Sequence, residues 1–210
     1  LSGLVGSEMC IRDRCLLFVD ISGGQINALD QHGRLTRLYE SPARIGALAL
    51  TEKGNLIFSQ NAGVAILDRT SLRVTQNSKL AITLSSYRFN DGACDPQGRF
   101  ITGLMDEGHS GNTGKLYRYD GGLNASVILD GISLPNGLAW TSKGDELLFV
   151  DSVARTLYRA PYPANGNALQ KLSVFARTPE ELGRPDGLAL DIEDNPVSYT
   201  HLRAHETRED

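Results

Sequence analysis

Asp91, Asn136 and Asp186 each stand immediately before a glycine, in the stretches RFNDGACD (88–95), LPNGLAW (134–140) and RPDGLALD (184–191). Their side chains offer carboxylate or amide oxygen. Such oxygens gathered at one point suit a hard divalent cation such as Ca²⁺, Mg²⁺ or Mn²⁺. The chain has only four His and three Cys. The cysteines (Cys10, Cys15, Cys94) show no metal-type spacing, so a soft nitrogen–sulfur site is not expected. Arg88 and Asn90, just upstream of Asp91, add a guanidinium and an amide suited to the oxygens of a small polar ligand. Taken alone, each Asx–Gly pair also reads as a turn. What argues for more is their recurrence at equivalent places in a repeat.

The repeat is visible in IGALALTEKGNLIFS (45–59), DGACDPQGRFITG (91–103), NGLAWTSKGDELLFVDS (136–152) and DGLALDIEDN (186–195). Each has a glycine, a few small or apolar residues, a polar turn and a strand-like run. Gly46, Gly92, Gly137 and Gly187 recur at spacings of 46, 45 and 50 residues. A period of 40–50 residues built of short strands predicts β-propeller blades. LYRYD and LYRAPY alternate as half-buried strands do, and helical periodicity is nearly absent. TPEELG (178–183) is the best helical candidate, a single turn. The prediction is four blades of about four strands each, with residues 15–39 forming a blade that lacks its first strand, and the start of a further blade. A two-sheet sandwich accommodates the same strands but gives no reason for the period.

The first strand of each propeller blade lines the central channel. The residues before the repeat glycines, Ile45, Asp91, Asn136 and Asp186, are therefore expected at one mouth of that channel. Asp20 and Asp151, in FVDIS and FVDSV, end second strands and read as turn or cap residues. His109 reads as a solvated loop residue and Cys94 as core.

Composition excludes several classes. The chain of 210 residues is 40% hydrophobic with a net charge of −4, enough for one globular core and without the basic block that nucleic acid attracts. No apolar run reaches the ~18 residues of a membrane span. Three cysteines without a disulfide framework suggest reduced thiols and a cytoplasmic setting.

The two ends read differently from the rest. LVGSEMCIRD (4–13) can be encoded by CTC GTG GGC TCG GAG ATG TGT ATA AGA GAC, and the reverse complement of that DNA reads VSYTHLRAHE, which is residues 197–206. The flanks thus form an inverted repeat at the DNA level and resemble translated transposase adaptors from sequencing libraries. Residues 1–14 and 196–210 are set aside as not native. Residues 15–195 are expected to be a partial propeller, with the flanks adding no blade strands.

RFNDGACDPQGRFITGLMD, LPNGLAW…LLFVDS and RPDGLALD, together with LLFVDISGGQINALD, resemble the regucalcin/gluconolactonase (senescence-marker-protein) family over essentially all of 15–195. The resemblance implies an all-β, six-bladed β-propeller, of which about four blades are present here. It implies one divalent cation in the channel (Ca, Mg, Mn, Zn or Fe) and hydrolysis of sugar lactones. By the same resemblance Asn136 and Asp186 are metal ligands, Asp186 is also the acid/base, and Arg88 and Asn90 contact substrate. Asp91 would lie near the metal's water shell. A further substrate-contacting carboxylate falls on Glu107 or Asp106, where the alignment slips by one. The family's third ligand, a Glu about 13 residues before the phenylalanine of LLFVD, would fall on Val5. It is absent, and Glu8 has the wrong context.

In the intact protein this implies a small-molecule sugar lactone as partner, with no nucleic acid and no membrane. The chain as written is expected to be nearly inactive. Two rival readings share the fold: a non-catalytic propeller that binds a ligand or protein, and a metal-dependent phosphotriesterase.

Overall fold

The computed structural model describes residues 8–10, 15–81, 86–108, 111–166 and 168–201. Their regular structure is almost all strand. The first sheet holds β1 (Glu8–Cys10), β2 (Cys15–Asp20), β3 (Gln25–Asp30) and β4 (Leu35–Glu40). The second holds β5 (Ile45–Leu50), β6 (Leu56–Gln60), β7 (Gly63–Asp68) and β8 (Arg73–Lys79). The third is β9 (Tyr87–Cys94), β10 (Phe100–Asp106), β11 (Gly114–Tyr119) and β12 (Ala125–Ile132). The fourth is β13 (Pro135–Trp140), β14 (Glu146–Asp151), β15 (Thr156–Pro161) and β16 (Ser173–Arg177). A two-stranded sheet pairs β17 (Arg184–Leu190) with β18 (Pro196–His201). Every pairing is antiparallel and between sequence neighbours, and TPEELG contributes one 3₁₀ turn at Glu180–Leu182.

The expected strand order is found in the middle three blades. The first strands are neighbours in space: β5 beside β9, β9 beside β13, β13 beside β17. Burial falls from inside to outside. All but the last residue of β5 is buried, whereas β16 is exposed throughout. Alternation explains how each sheet serves two interfaces, since successive side chains point to opposite faces. Phe58 packs towards the first sheet with Leu17 and Ile26, while its neighbour Ile57 packs towards the third with Phe89 and Phe100. Leu147 and Phe149 face the third sheet, and Leu148 and Val150 face Leu188 and Leu190 of β17.

Asp residues at strand ends make the tight turns. Asp95 Oδ1 accepts from the amides of Gln97 (3.0 Å) and Arg99 (2.8 Å), and Asp120 Oδ1 does the same for Gly122 and Asn124. These Asx turns hold the chain before it enters the second or fourth strand.

Two expectations about the flanks need correction. Residues 8–10 pair with β2 and supply a fourth strand to the first sheet, and residues 196–201 pair with β17. The open edges of β2 and β17 present unpaired backbone groups, and any extended segment that follows or precedes them by a short turn satisfies those groups. β18 does so by backbone pairing more than by burial, with Val197 62% exposed and Tyr199 48% exposed.

Two of the repeat glycines, Gly46 and Gly137, mark close approaches of neighbouring inner strands. A Cβ on Gly46 would sit 2.4 Å from the carbonyl oxygen of Phe89 and 2.5 Å from that of Asn90. Backbone cannot retreat from such a contact without moving β5 away from β9. Gly46→Ala is therefore expected to lower stability by about 3 kcal/mol, read from urea unfolding. Gly121→Ala, with no atom within 4 Å of its new Cβ, is expected to leave stability nearly unchanged.

Candidate functional site

The four inner strands β5, β9, β13 and β17 are irregular at their mouth residues. The register shifts at Ile45/Leu48 in β5, opposite Thr102/Leu104 in β9, at Asn136/Leu138 in β13 and at Pro185/Leu188 in β17. Such bulges insert an extra residue and re-aim side chains. In β13 the extra residue is Gly137, at φ +39°, which only glycine adopts without cost. A sequence of Asx before Gly is thus a bulge inside a strand here, and not a turn between strands.

The polar cluster at 88–91 grips the neighbouring mouth. Asn90 donates from Nδ2 to the carbonyl oxygen of Pro135 (3.2 Å), and Asp91 Oδ2 accepts from the Gly137 amide (2.9 Å). Both residues flanking Asn136 are therefore held from β9. Asp91 Oδ1 also accepts from the Gly92 amide (2.8 Å). Arg88 donates from Nη1 to Asn90 Oδ1 (2.9 Å) and to the Phe89 carbonyl (3.1 Å), and from Nε to Glu107 Oε1 (2.9 Å). Arg44, from the preceding blade, pairs with the same Glu107 carboxylate. Asp106, the alternative to Glu107, instead accepts from the Gly108 amide (3.0 Å). His109 lies outside the described residues. Glu8 lies in β1, opposite Leu17.

Asn136 and Asp186 are both buried, at 6% and 3% exposure. Asn136 Nδ2 donates to Ser152 Oγ (3.1 Å), which donates in turn to the Pro185 carbonyl (2.6 Å). The other end of the amide, Oδ1, is buried and meets no hydrogen-bond donor. The carbonyl oxygen of Asp186 lies against Gly137, 2.5 Å from where a Cβ would stand, so β13 and β17 touch at Asp186 and the residue that follows Asn136.

Charge is concentrated there. Burial pushes the Asp91 carboxyl up to about 6, the Asp186 charge adds to the shift, and the amides of Gly92 and Gly137 oppose it. Tyr199 is raised by burial and by the charges of Asp186 and Asp91, and its phenol oxygen lies 3.1 Å from where a Cβ on Gly187, the residue after Asp186, would stand. Tyr199 sits on β18, inside a stretch set aside by its coding pattern, so sequence reasoning had no route to it. Ser152 was also missed, although it directly follows the recurrent Asp of LLFVD. Asp20 and Asp151 do the turn work expected of them. Asp20 Oδ1 accepts from Gly23, and the Asp151 carboxylate accepts from Ser133, Leu134 and Ala154. Cys94 is half-buried against the cluster around Phe89.

The shift on Asp91 has a signed consequence for stability. Its folded pKa lies above the ordinary aspartate value of 3.8, so the native state holds that proton more tightly than the unfolded chain. The protonated form stabilises the fold below about pH 4, and this contribution is lost as pH rises through about 6. With chelator present, the Tm of the native chain minus that of Asp91→Ala is expected to fall between pH 4 and pH 7.

Among the described residues no group of three or more His, Cys, Asp or Glu is placed to hold a metal ion. What the site offers is amide and carboxylate oxygen: Asn136 Oδ1, buried without a donor, and Asp186, with Asp91 close enough to feel its charge. Hard divalent cations take such oxygens, and a dication relieves the repulsion between the two carboxylates.

Comparison with known proteins agrees with this architecture. The profile of the family described as "SMP-30/Gluconolactonase/LRE-like region" matches residues 6–206, and the chain belongs to that family. It is 32% identical over 186 residues to the 6-deoxy-6-sulfogluconolactonase of Pseudomonas putida, covering 86% of this chain and 62% of that protein. It is 30% identical to the pentonolactonase of Haloferax volcanii, covering 85% of this chain and 60% of that one. The chain therefore spans about three-fifths of these relatives' length. The crystal structure of regucalcin from Agrobacterium tumefaciens, described as a calcium-binding protein, superposes with a TM-score of 0.84 at 23% identity, over 92% of this chain and 66% of that one. That likeness establishes the propeller fold. Among the described residues no helix is long and apolar enough to cross a membrane.

Proposed function

We propose that the protein, at the full length of its relatives, hydrolyses sugar lactones of the aldonolactone type to sugar acids with one divalent cation held by Asn136 and Asp186. The observation that carries this reading is the buried, donorless Oδ1 of Asn136, whose following residue, Gly137, meets both the Asp186 carbonyl and the Asp91 carboxylate. The lactonases among its relatives support the reaction class. A cation bound there would supply Lewis-acid polarisation of a carbonyl and acidify an adjacent water.

The chain's own residues do the remaining work in this proposal. Asp186 takes the proton of the attacking water as its oxygen bonds to the lactone carbonyl carbon. It returns that proton to the ring oxygen as the carbon–oxygen ring bond breaks, leaving a hydroxy acid. Arg88 holds substrate oxygen and then the product carboxylate, and Asn90 fixes the guanidinium by accepting from Nη1. Glu107 orients Arg88 from its other side. Asp91 ties the β9 mouth to β13 and tunes the charge around Asp186. Hard cations take six or more oxygens, and two residues supply few of them. The chain of residues 15–195 alone is accordingly expected to turn over little.

The test is acid release from a panel of aldonolactones by the full-length gene product, corrected for spontaneous opening, with and without exhaustive chelation. Cation-dependent release supports the proposal. Binding without turnover would indicate a non-catalytic propeller, and turnover confined to phosphotriesters would indicate that rival hydrolase.

A further inference from the structure

We infer that Ser152 is a positioning residue that fixes which end of the Asn136 amide faces the cation site, and that it sets the spacing of the two ligand-bearing strands by the same hydroxyl. The inference rests on the cation reading proposed above, but the geometry behind it is independent of any metal.

A serine hydroxyl has one proton to donate and lone pairs to accept with. Ser152 Oγ lies 2.6 Å from the Pro185 carbonyl oxygen, which can only accept. The hydroxyl proton is therefore committed to Pro185. Towards Asn136, 3.1 Å away, Ser152 can then only accept, so the amide must present Nδ2. Its Oδ1 is forced to the opposite side, where it is buried without a donor. An amide flip would set Oδ1 against Ser152 lone pairs and turn an NH₂ group towards the site, where it would repel a cation. The choice between a cation-binding and a cation-repelling orientation thus depends on a proton owned by a residue that does not touch the site.

The same hydroxyl reaches two strands. It bonds Asn136 on β13 and the residue directly before Asp186 on β17, from the end of β14. Ser152 is 5% exposed, so water does not substitute for it. The neighbouring Asp151 fixes this corner by accepting from Ser133, Leu134 and Ala154. Outer groups that orient ligands in this way commonly change metal affinity 10–100-fold when removed.

The experiment uses the chain as it stands, with Mn²⁺ as probe and three variants. Ser152→Ala removes the hydroxyl. Ser152→Cys keeps the size with only a weak donor and acceptor, and so stays informative should the alanine variant fail to fold. Ser152→Thr keeps the hydroxyl. Expected is at least a tenfold loss of Mn²⁺ affinity in the Ala and Cys variants, with the Thr variant within about threefold of native. In the metal-free chain, the ¹⁵N side-chain amide signals of Asn136 should shift in the Ala and Cys variants, a signature that a general loss of packing would not confine to one amide. Equal Mn²⁺ affinity in the native and Ser152→Cys chains, or Asn136 amide signals unmoved by that substitution, would overturn the inference. A native chain that binds no Mn²⁺, while its Asn136 amide still responds to Ser152→Cys, would instead overturn the cation reading and leave the hydrogen-bond relay standing.

Discussion

Asp186→Ala is expected to lower cation-dependent lactone hydrolysis by the full-length gene product by at least about 10³-fold. Loss of a general acid/base commonly costs 10²–10⁴-fold, and here the same carboxylate is assigned a place on the cation. Its effect on the fold should run the other way. Asp186 is 3% exposed and adds its charge to the forces that raise Asp91. Removing one of two like charges that repel each other relieves that repulsion, so the cation-free variant is expected to melt at or above the native temperature at pH 7. Added Ca²⁺ or Mn²⁺ should raise the Tm of the native chain and leave that of the variant in place. Parallel loss of activity and of metal-free stability would mark Asp186 as a residue of the fold and not of the chemistry.

Arg88→Ala is expected to raise KM by about 10–100-fold while changing kcat much less. A hydrogen bond to a charged group is worth roughly 1.5–3 kcal/mol, and a contact held equally in ground and transition states appears in KM. Arg88 is well placed for such a contact because its guanidinium is held on two sides, by Glu107 through Nε and by Asn90 through Nη1. Arg44→Ala is the control. It removes the other partner of Glu107, but its side chain is 49% exposed, and exposed pairs contribute little. Its KM should stay within about threefold of native. If kcat falls as steeply as KM rises in Arg88→Ala, the guanidinium acts on the transition state and its assignment as a binding group is wrong.

The blades were legible because alternation and the glycine period are local properties. Gly46 and Gly137 sit where one inner strand meets the next, and a contact of 2.4–2.5 Å to backbone oxygen leaves room for no other residue. The polar stretch at 88–91 was legible as a cluster but not as a clamp. That Asn90 holds Pro135 and Asp91 holds Gly137 depends on β9 lying beside β13, which the spacing of residues does not specify. Ser152 carried no signal of its own, since its partners lie on two other strands. The choice between Asp106 and Glu107 turned on a one-residue register that bulges make unreadable from sequence, and the Arg88–Glu107 pair resolves which carboxylate faces Arg88. Pairing at the two flanks went unforeseen for another reason. It is driven by open backbone edges more than by side chains, and coding-level arguments say nothing about edges.

The most direct measurement is anomalous diffraction from crystals of the chain grown with Mn²⁺. Expected is one strong peak within ligand distance, about 2.0–2.4 Å, of both Asn136 Oδ1 and an Asp186 carboxylate oxygen, lost in crystals of Asp186→Ala. A structure with Mn²⁺ at saturating concentration that shows no peak at this mouth, or shows Asn136 turning its NH₂ towards it, would contradict the assignment of a cation to these two residues.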